Sequence, residues 1–395
     1  MAHVAFYITG HGFGHATRMG AVATALAAQV SDLRLTVVST TPEWLVRLNF
    51  PPGTALRTRA LDVGVVQHDS IRLDQAATLQ AYAHLLQALP RLIREEAEQL
   101  GRDAVDLVVA DIPPAAFPIA RAAGIPGVGI TNFTWDWIYA EYVRADPASA
   151  HLVDCIRDAY AEGDCLLRLP FHGPCDAFRR VQDIPLIARS ARCSREEARA
   201  ILGLDASRPV VLLSFGGFEI QGVDLERVAT LSDYLFLTTQ PPPRPLRNVR
   251  LVHLADGLRY PDLVAQADAV ITKPGYGIVS ECLANRTPLL YTSRGEFAEY
   301  GPLVAGLERY AVSAFLSNDD LLAGNWRKAL EDLLRRPAGW PDFPVNGAQV
   351  AAGLLRTALP GATSPDQVED PRQPPGEPAP RPIRAPADIL VCGGA

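Results

Sequence analysis

Two doubly wound, parallel-sheet α/β domains in tandem are the fold this sequence predicts. Three observations carry the expectation. Short, wholly apolar runs alternate with helical stretches, the signature of parallel strands covered on both faces. The rhythm breaks near residues 169–187, where Pro170, Gly173, Pro174 and Pro185 interrupt it, and then restarts. At 395 residues the chain also exceeds one ordinary core and fits two domains of about 150–180 residues.

In the first half, residues 4–8 (VAFYI) read as a strand and 16–29 as a helix. Residues 33–39 are a second strand. Residues 79–100 are a long amphipathic helix, with Arg91, Arg94, Glu95, Glu96 and Glu98 gathered along it. Strands at 105–110 and 127–130 follow, joined by a helix near 115–123. In the second half, 209–214, 234–238, 250–253, 269–272 and 288–291 read as strands. Residues 195–202, 261–267, 278–285 and 319–335 read as helices.

The expected division is therefore an N-terminal Rossmann-like domain over 1–175 and a C-terminal one over 186–345. A helix at 346–359 and a tail at 360–395 complete the chain. The stretch 360–386 is rich in Pro and charge and poor in large apolar residues. It buries too little surface to offset its ordering entropy, so the tail is expected to be disordered.

Composition excludes several classes. Net charge is −7, so nothing supports non-specific nucleic-acid binding, which needs a basic surface. The six cysteines, Cys155, Cys165, Cys175, Cys193, Cys282 and Cys392, form no C-x-x-C pair and read as scattered reduced thiols. The apolar run 4–9 is short for a signal peptide, and no run of about 20 apolar residues suggests a membrane span. The expectation is a cytoplasmic protein with no integral membrane segment. Histidines and acids do not cluster at metal-ligand spacing, so no metal and no cofactor is expected.

The strand 4–8 runs into Thr9-Gly10-His11-Gly12-Phe13-Gly14-His15-Ala16-Thr17-Arg18. A strand, a glycine-rich turn and a helix start place backbone N–H groups where a ligand can meet them. The spacing fits neither common nucleotide motif. A dinucleotide fingerprint would need its third glycine at His15, and no Gly-Lys-Ser/Thr follows for a P-loop. His15 and His11 stand at the carboxyl edge of the first strand, where ligands bind in such folds. Histidine is the natural general base near pH 7, and His15, at the helix start, is the first candidate. Asp111 ends the strand 105–110 at the same edge. It either orients a histidine or caps the helix after Pro113-Pro114.

The second half carries two further turns. Ser214-Phe215-Gly216-Gly217-Phe218 follows a buried strand, and Gly216 and Gly217 allow close backbone approach. Thr272-Lys273-Pro274-Gly275-Tyr276-Gly277 leads into a helix through Ser280 and Glu281. The free N–H groups and dipole there suit a diphosphate, Lys273 adds positive charge, and Glu281 suits a ribose diol. Arg294, Glu296 and Glu299 follow the next strand, at the level where a sugar would lie.

The turn over 269–290 resembles the C-terminal signature of family 28 glycosyltransferases. There the glycine turn binds the nucleotide diphosphate and the helix glutamate the ribose. Gly275, Gly277 and Glu281 match those positions. That family's N-terminal glycine loop resembles residues 10–15, with His11 and Phe13 replacing small residues. The strings YITGHGFGHATR (7–18) and TNFTWDWIYAEY (131–142) resemble the glycosyltransferase-like N-terminal region of plant L-arabinokinases and its stand-alone bacterial relatives. The sugar-kinase half of those proteins has no counterpart here.

The resemblance implies a GT-B fold, two Rossmann-like domains facing across a cleft, with the donor held mainly by the C-terminal one. His15, His11 and Asp111 are then the catalytic candidates. Gly216, Gly217, Lys273, Gly275, Tyr276, Gly277, Ser280, Glu281 and Glu296 are the donor-side candidates. Gly12, Gly14, Arg18, Trp135 and Asp136 are the acceptor-side candidates. The cluster Phe133, Trp135, Trp137 and Tyr139 either stacks on a sugar or packs the core between domains. The expected activity is inverting, metal-independent sugar transfer from a nucleotide sugar to an acceptor hydroxyl. The alternatives are a nucleotide-sugar 2-epimerase and a non-catalytic nucleotide-sugar-binding protein.

Overall fold

The computed structural model describes residues 1–360, except 68–72, 205–206, 216–221, 243, 255–256, 296 and 338. Its first lobe is built on β1 (Ala2–Ile8), β2 (Leu33–Val38), β3 (Ala55–Arg57), β4 (Leu107–Asp111), β5 (Gly127–Thr131), β6 (Cys165–Arg168) and β7 (Val181–Asp183). These strands pair parallel in the order β3-β2-β1-β4-β5-β6-β7. All five residues of β4 and of β5 are buried, as their apolar runs require of a sheet covered on both faces. The helices of this lobe are α1 (Phe13–Ala27), α2 (Glu43–Asn49), α3 (Gln75–Arg102), α4 (Ala116–Ala123), α5 (Trp135–Ala145) and α6 (Ala150–Ala161).

The second lobe repeats the plan. Its strands are β8 (Val210–Ser214), β9 (Leu235–Thr238), β10 (Val249–Leu251), β11 (Ala269–Thr272), β12 (Leu289–Tyr291) and β13 (Ser313–Phe315). They pair parallel in the order β10-β9-β8-β11-β12-β13. Its helices are α7 (Arg195–Ile201), α8 (Leu225–Ala229), α9 (Tyr260–Gln266), α10 (Tyr276–Asn285), α11 (Tyr300–Tyr310), α12 (Asn318–Leu322) and α13 (Arg327–Leu334). The last helix, α14 (Gly347–Thr357), returns to the first lobe and packs on α1.

Each sheet reverses strand order once, between β1 and β4 and between β8 and β11. Ligands bind at such reversals, outside the carboxyl ends of the strands. One apolar cluster runs from β1 and α1 through α14 into β8, β9 and α10, joining the lobes. A second covers the other face of the first sheet and holds Tyr7, Tyr82, Phe117, Trp135 and Tyr160. Among the described residues, no helix is long and apolar enough to cross a membrane.

The structure corrects several expectations. The helix expected over 319–335 is two, α12 and α13, parted at Gly324, whose φ of +67° ends the first. β7 lies inside the expected linker and belongs to the first sheet, so the passage between lobes begins after Asp183. α1 starts at Phe13, which puts His15 in its first turn. The tail expected to be disordered lies, from residue 361 onward, outside the described residues.

Candidate active site

A cavity of about 620 Å³ lies between the carboxyl edges of the two sheets. From the first lobe, His11, Gly12, Gly14, His15, Arg18 and Phe133 line it. From the second, Lys273, Gly275, Tyr276, Gly277 and Glu281 line it, with Arg294 and Glu299 beyond β12. Both glycine turns therefore open into one space. Gly216, Gly217 and Glu296 lie outside the described residues.

The pairing of β1 with β4 sets Ile8 beside Asp111 and brings the two strand ends together. From there His15 Nδ1 lies 2.9 Å from Asp111 Oδ1. Asp111 is not a helix cap: α4 starts from Ala115 with no side-chain cap. Its carboxylate is instead gripped side-on by Arg18. Nε donates to Oδ2 at 2.5 Å and Nη2 donates to Oδ1 at 2.6 Å. Burial pushes the Asp111 carboxyl upward, but Arg18 and His15 more than offset this and leave it below its ordinary value. Arg18 also donates from Nη1 to Asn132 Oδ1 at 2.8 Å and from Nη2 to Thr131 Oγ1 at 3.1 Å. The network then crosses to the second lobe. Asn132 Nδ2 donates to Glu299 Oε1 at 2.8 Å, and Arg294 Nη1 donates to Glu299 Oε2 at 2.5 Å. The Arg18 guanidinium sits 5.0 Å from the Tyr276 ring centre, a cation–π contact between lobes.

His11 is placed differently. Its ring stands edge-on to Trp135 at 5.6 Å and stacks on Phe297 of the second lobe at 6.3 Å. Burial, reinforced by Arg294 and Lys273, holds it well below the ordinary histidine value, so it is neutral at pH 7. The aromatic cluster is mainly core: Trp135, Tyr139 and Phe133 are buried in the second apolar cluster. Phe133 also meets Phe297 across the lobes at 6.0 Å. Asp136 is buried against Arg157 of α6 (Oδ2 to Nη1, 2.9 Å) and does not line the cavity. Ser280 Oγ donates back to the Tyr276 carbonyl within α10.

Both helices that start at the cavity begin from glycine without a side-chain cap, α1 from Gly12 and α10 from Gly275. Their first-turn N–H groups therefore have no side chain to satisfy them, and both dipoles favour an anion there. The two glycines answer different needs. Gly12 has φ +79°, which only glycine adopts readily. Gly275 has φ −127°, open to any residue, and a Cβ built on it meets nothing within 4 Å. Its lack of a side chain keeps cavity space open rather than satisfying the backbone. The turns also touch: a Cβ on Gly277 would stand 3.4 Å from the Gly14 Cα.

Two functional groups carry no local signature in the sequence. Arg189, on the passage between lobes, donates from Nε to Glu281 Oε1 at 2.7 Å and again from Nη2. Its Nη1 reaches Asn49 Oδ1 at the end of α2. The carboxylate on α10 is thereby linked through Arg189 to Asn49 of the first lobe. Burial raises the Glu281 carboxyl, with Arg189 opposing.

The second is Asp62, which accepts from Trp135 Nε1 at 3.0 Å behind His11. Burial pushes its carboxyl up to about 6. Folding thus raises this pKa, so the folded chain holds the proton more tightly than the unfolded one. The stability is full below the ordinary value of 3.8 and falls as pH rises through about 6. Asp62→Asn is expected to flatten that fall by about 1–3 kcal/mol, read from denaturant unfolding at pH 4 to 7.

No family model matches the chain. It is 36% identical over 364 residues to L-arabinokinase of Arabidopsis thaliana, a match that takes in 89% of this chain. The chain spans about a third, 34%, of the length of that relative. Among solved structures, the glycotransferase of kitacinnamycin superposes with a TM-score of 0.62 at 18% identity, over 91% of this chain and 99% of that one. UGT2 of Phytolacca americana, solved with UDP-2-fluoroglucose and pterostilbene, gives 0.59 at 14% identity, over 90% and 94%. The calicheamicin glycosyltransferase CalG4 gives 0.54 at 18% identity, over 91% and 95%. Two parallel-sheet lobes around a shared cleft, together with these likenesses, identify the chain as a GT-B-fold protein that resembles, over most of its own length, a third of a plant L-arabinokinase.

Proposed function

We propose that the chain is a glycosyltransferase that moves a sugar from a nucleoside diphosphate sugar to an acceptor hydroxyl, with inversion and without a metal. One observation carries the reading. The His15–Asp111 pair stands at the strand reversal of one lobe, and the uncapped start of α10 opens into the same cavity from the other.

In this reading the donor diphosphate lies at the start of α10, by Gly275, Tyr276 and Gly277, with Lys273 beside it. Ser280 holds the first turn together, and Glu281 meets the ribose. The acceptor approaches from Gly12, Gly14 and Phe133, with Arg18 and Trp135 supporting the histidines from behind. Asp136, tied to Arg157, serves only the fold of that lobe.

The chemistry is one displacement. His15 Nε2 takes the proton of the acceptor hydroxyl. The oxygen forms a bond to the anomeric carbon as that carbon's bond to the diphosphate oxygen breaks, and the diphosphate leaves with the electron pair. Attack and departure on opposite faces invert the centre. The helix N-terminus, Lys273 and Arg294 meet the negative charge where it develops.

The test is diphosphate release from a panel of nucleotide sugars, with and without a mixture of hydroxyl acceptors, in the presence of a chelator. Release that depends on acceptor and survives the chelator supports transfer. Donor conversion without acceptor would replace it with the epimerase. Saturable binding with neither would leave a binding protein.

A further inference from the structure

The cluster behind His15 holds more contacts than it has hydrogens to fill. Arg18 Nη2 carries two hydrogens and stands within hydrogen-bond distance of three acceptor positions. These are Asp111 Oδ1 at 2.6 Å, Thr131 Oγ1 at 3.1 Å and His15 Nδ1 at 3.0 Å. One hydrogen completes the side-on grip on Asp111, together with Nε on Oδ2. The other goes either to Thr131 or to His15.

The choice decides which nitrogen of His15 carries the proton. His15 Nδ1 has two neighbours, the carboxylate oxygen at 2.9 Å and the guanidinium nitrogen at 3.0 Å. The first only accepts and the second only donates. If Arg18 spends its second hydrogen on Thr131, Nδ1 must carry a hydrogen and donate it to Asp111. Nε2 is then a bare lone pair, able to take a proton. If Arg18 spends it on His15, Nδ1 is the acceptor, the ring hydrogen sits on Nε2, and the ring is a donor.

We propose that Thr131 is a positioning residue that, by accepting from Arg18 Nη2, holds His15 in the Nδ1–H form with Nε2 unprotonated. Thr131 is fully buried at the carboxyl end of β5, in a register that places it beside Arg168 of β6. Asn132, the next residue, takes Arg18 Nη1 at 2.8 Å, so the two residues together receive the end of the guanidinium that faces away from Asp111. The proposal rests on the reading of His15 as a base only for its catalytic meaning. The state of the ring is a separate observable.

That observable is the ¹⁵N spectrum of the imidazoles, at a pH where the rings are neutral. The chain has eight histidines, and the pair of signals missing from His15→Gln identifies this one. The wild type is expected to show His15 protonated at Nδ1 and bare at Nε2. Thr131→Val, which keeps the volume and removes the hydroxyl, is expected to move most of the population to Nε2–H. Thr131→Ser is expected to restore the wild-type pattern. In the transfer assay Thr131→Val should lower kcat about tenfold or more with the donor KM unchanged, and Thr131→Ser should recover it. A wild-type ring protonated at Nε2, or a Thr131→Val ring unchanged from wild type, overturns the proposal. A wild type that transfers no sugar removes the glycosyltransferase reading alone and leaves the ring measurement to decide the role of Thr131.

Discussion

His15→Ala is expected to lower the rate of sugar transfer by about 10²–10⁴-fold while leaving nucleotide binding intact. The reason is positional. His15 stands in the first turn of α1, with Nδ1 on Asp111 and about a tenth of its side-chain surface open. Among the described residues the other cavity histidines are His11 and His253. His253 follows β10 at the edge of the second sheet. His11 is neutral, packed between Trp135 and Phe297 and near Val65 N–H through Nδ1. Neither His11 nor Asp111, which does not line the cavity, stands where it replaces the lost base. The measurement is diphosphate release under saturating donor, with donor affinity taken separately by titration. Loss of rate with unchanged affinity marks a group that acts in the transition state. Equal rates in variant and wild type would remove His15 from the chemistry.

Arg18→Ala is expected to destabilise the fold by about 3–5 kcal/mol, because it strands a fully buried carboxylate. Asp111 is 0% exposed and takes two of its three side-chain hydrogen bonds from Arg18. Replacing both partners, as in Arg18→Ala with Asp111→Ala, should cost clearly less than the sum of the single changes. The pH dependence follows from sign. Asp111 is held below its ordinary value, so its contribution is present above the unfolded carboxyl pKa and is lost as pH falls through the folded one. The gap between wild type and Arg18→Ala is therefore full at neutral pH and shrinks in acid. Denaturant unfolding at two pH values reads it. Additive single and double changes would mean that the ion pair contributes nothing of its own.

The parts of this site that the sequence made legible share one property: each sits at the end of an apolar strand. Runs such as VAFYI announce a parallel sheet, and the sheet rule then locates ligands at strand ends near an order reversal. That rule brings His15 and Asp111 together although 96 residues separate them. Arg189 and Glu281, 92 residues apart, obey no such rule. Arg189 lies on an irregular passage between lobes, where neither period nor turn chemistry marks a residue. Asp62 follows the edge strand β3, and its character comes from the Trp135 contact and burial, both of which depend on the whole fold. The short helices α2, α5 and α6 escaped for a related reason: α5 reads WDWIYAEYVRA, whose aromatics suit a strand as well as a helix until packing decides. Both glycine turns join a strand to a helix, yet one glycine is needed for its φ and the other for the space it leaves.

That space offers the most direct measurement of the central claim, that a nucleotide diphosphate binds at the start of α10. The experiment is thermal unfolding of the wild type and of Gly275→Val against a panel of nucleoside diphosphates. Without ligand the two should differ by less than about 1 kcal/mol, since the change is at a half-buried helix start where an added Cβ meets nothing within 4 Å. At 100 times its dissociation constant, the right nucleotide should stabilise the wild type by about 2.7 kcal/mol and leave Gly275→Val unmoved. A panel in which no nucleotide stabilises the wild type, or one that stabilises both proteins equally, would contradict a donor site at this turn.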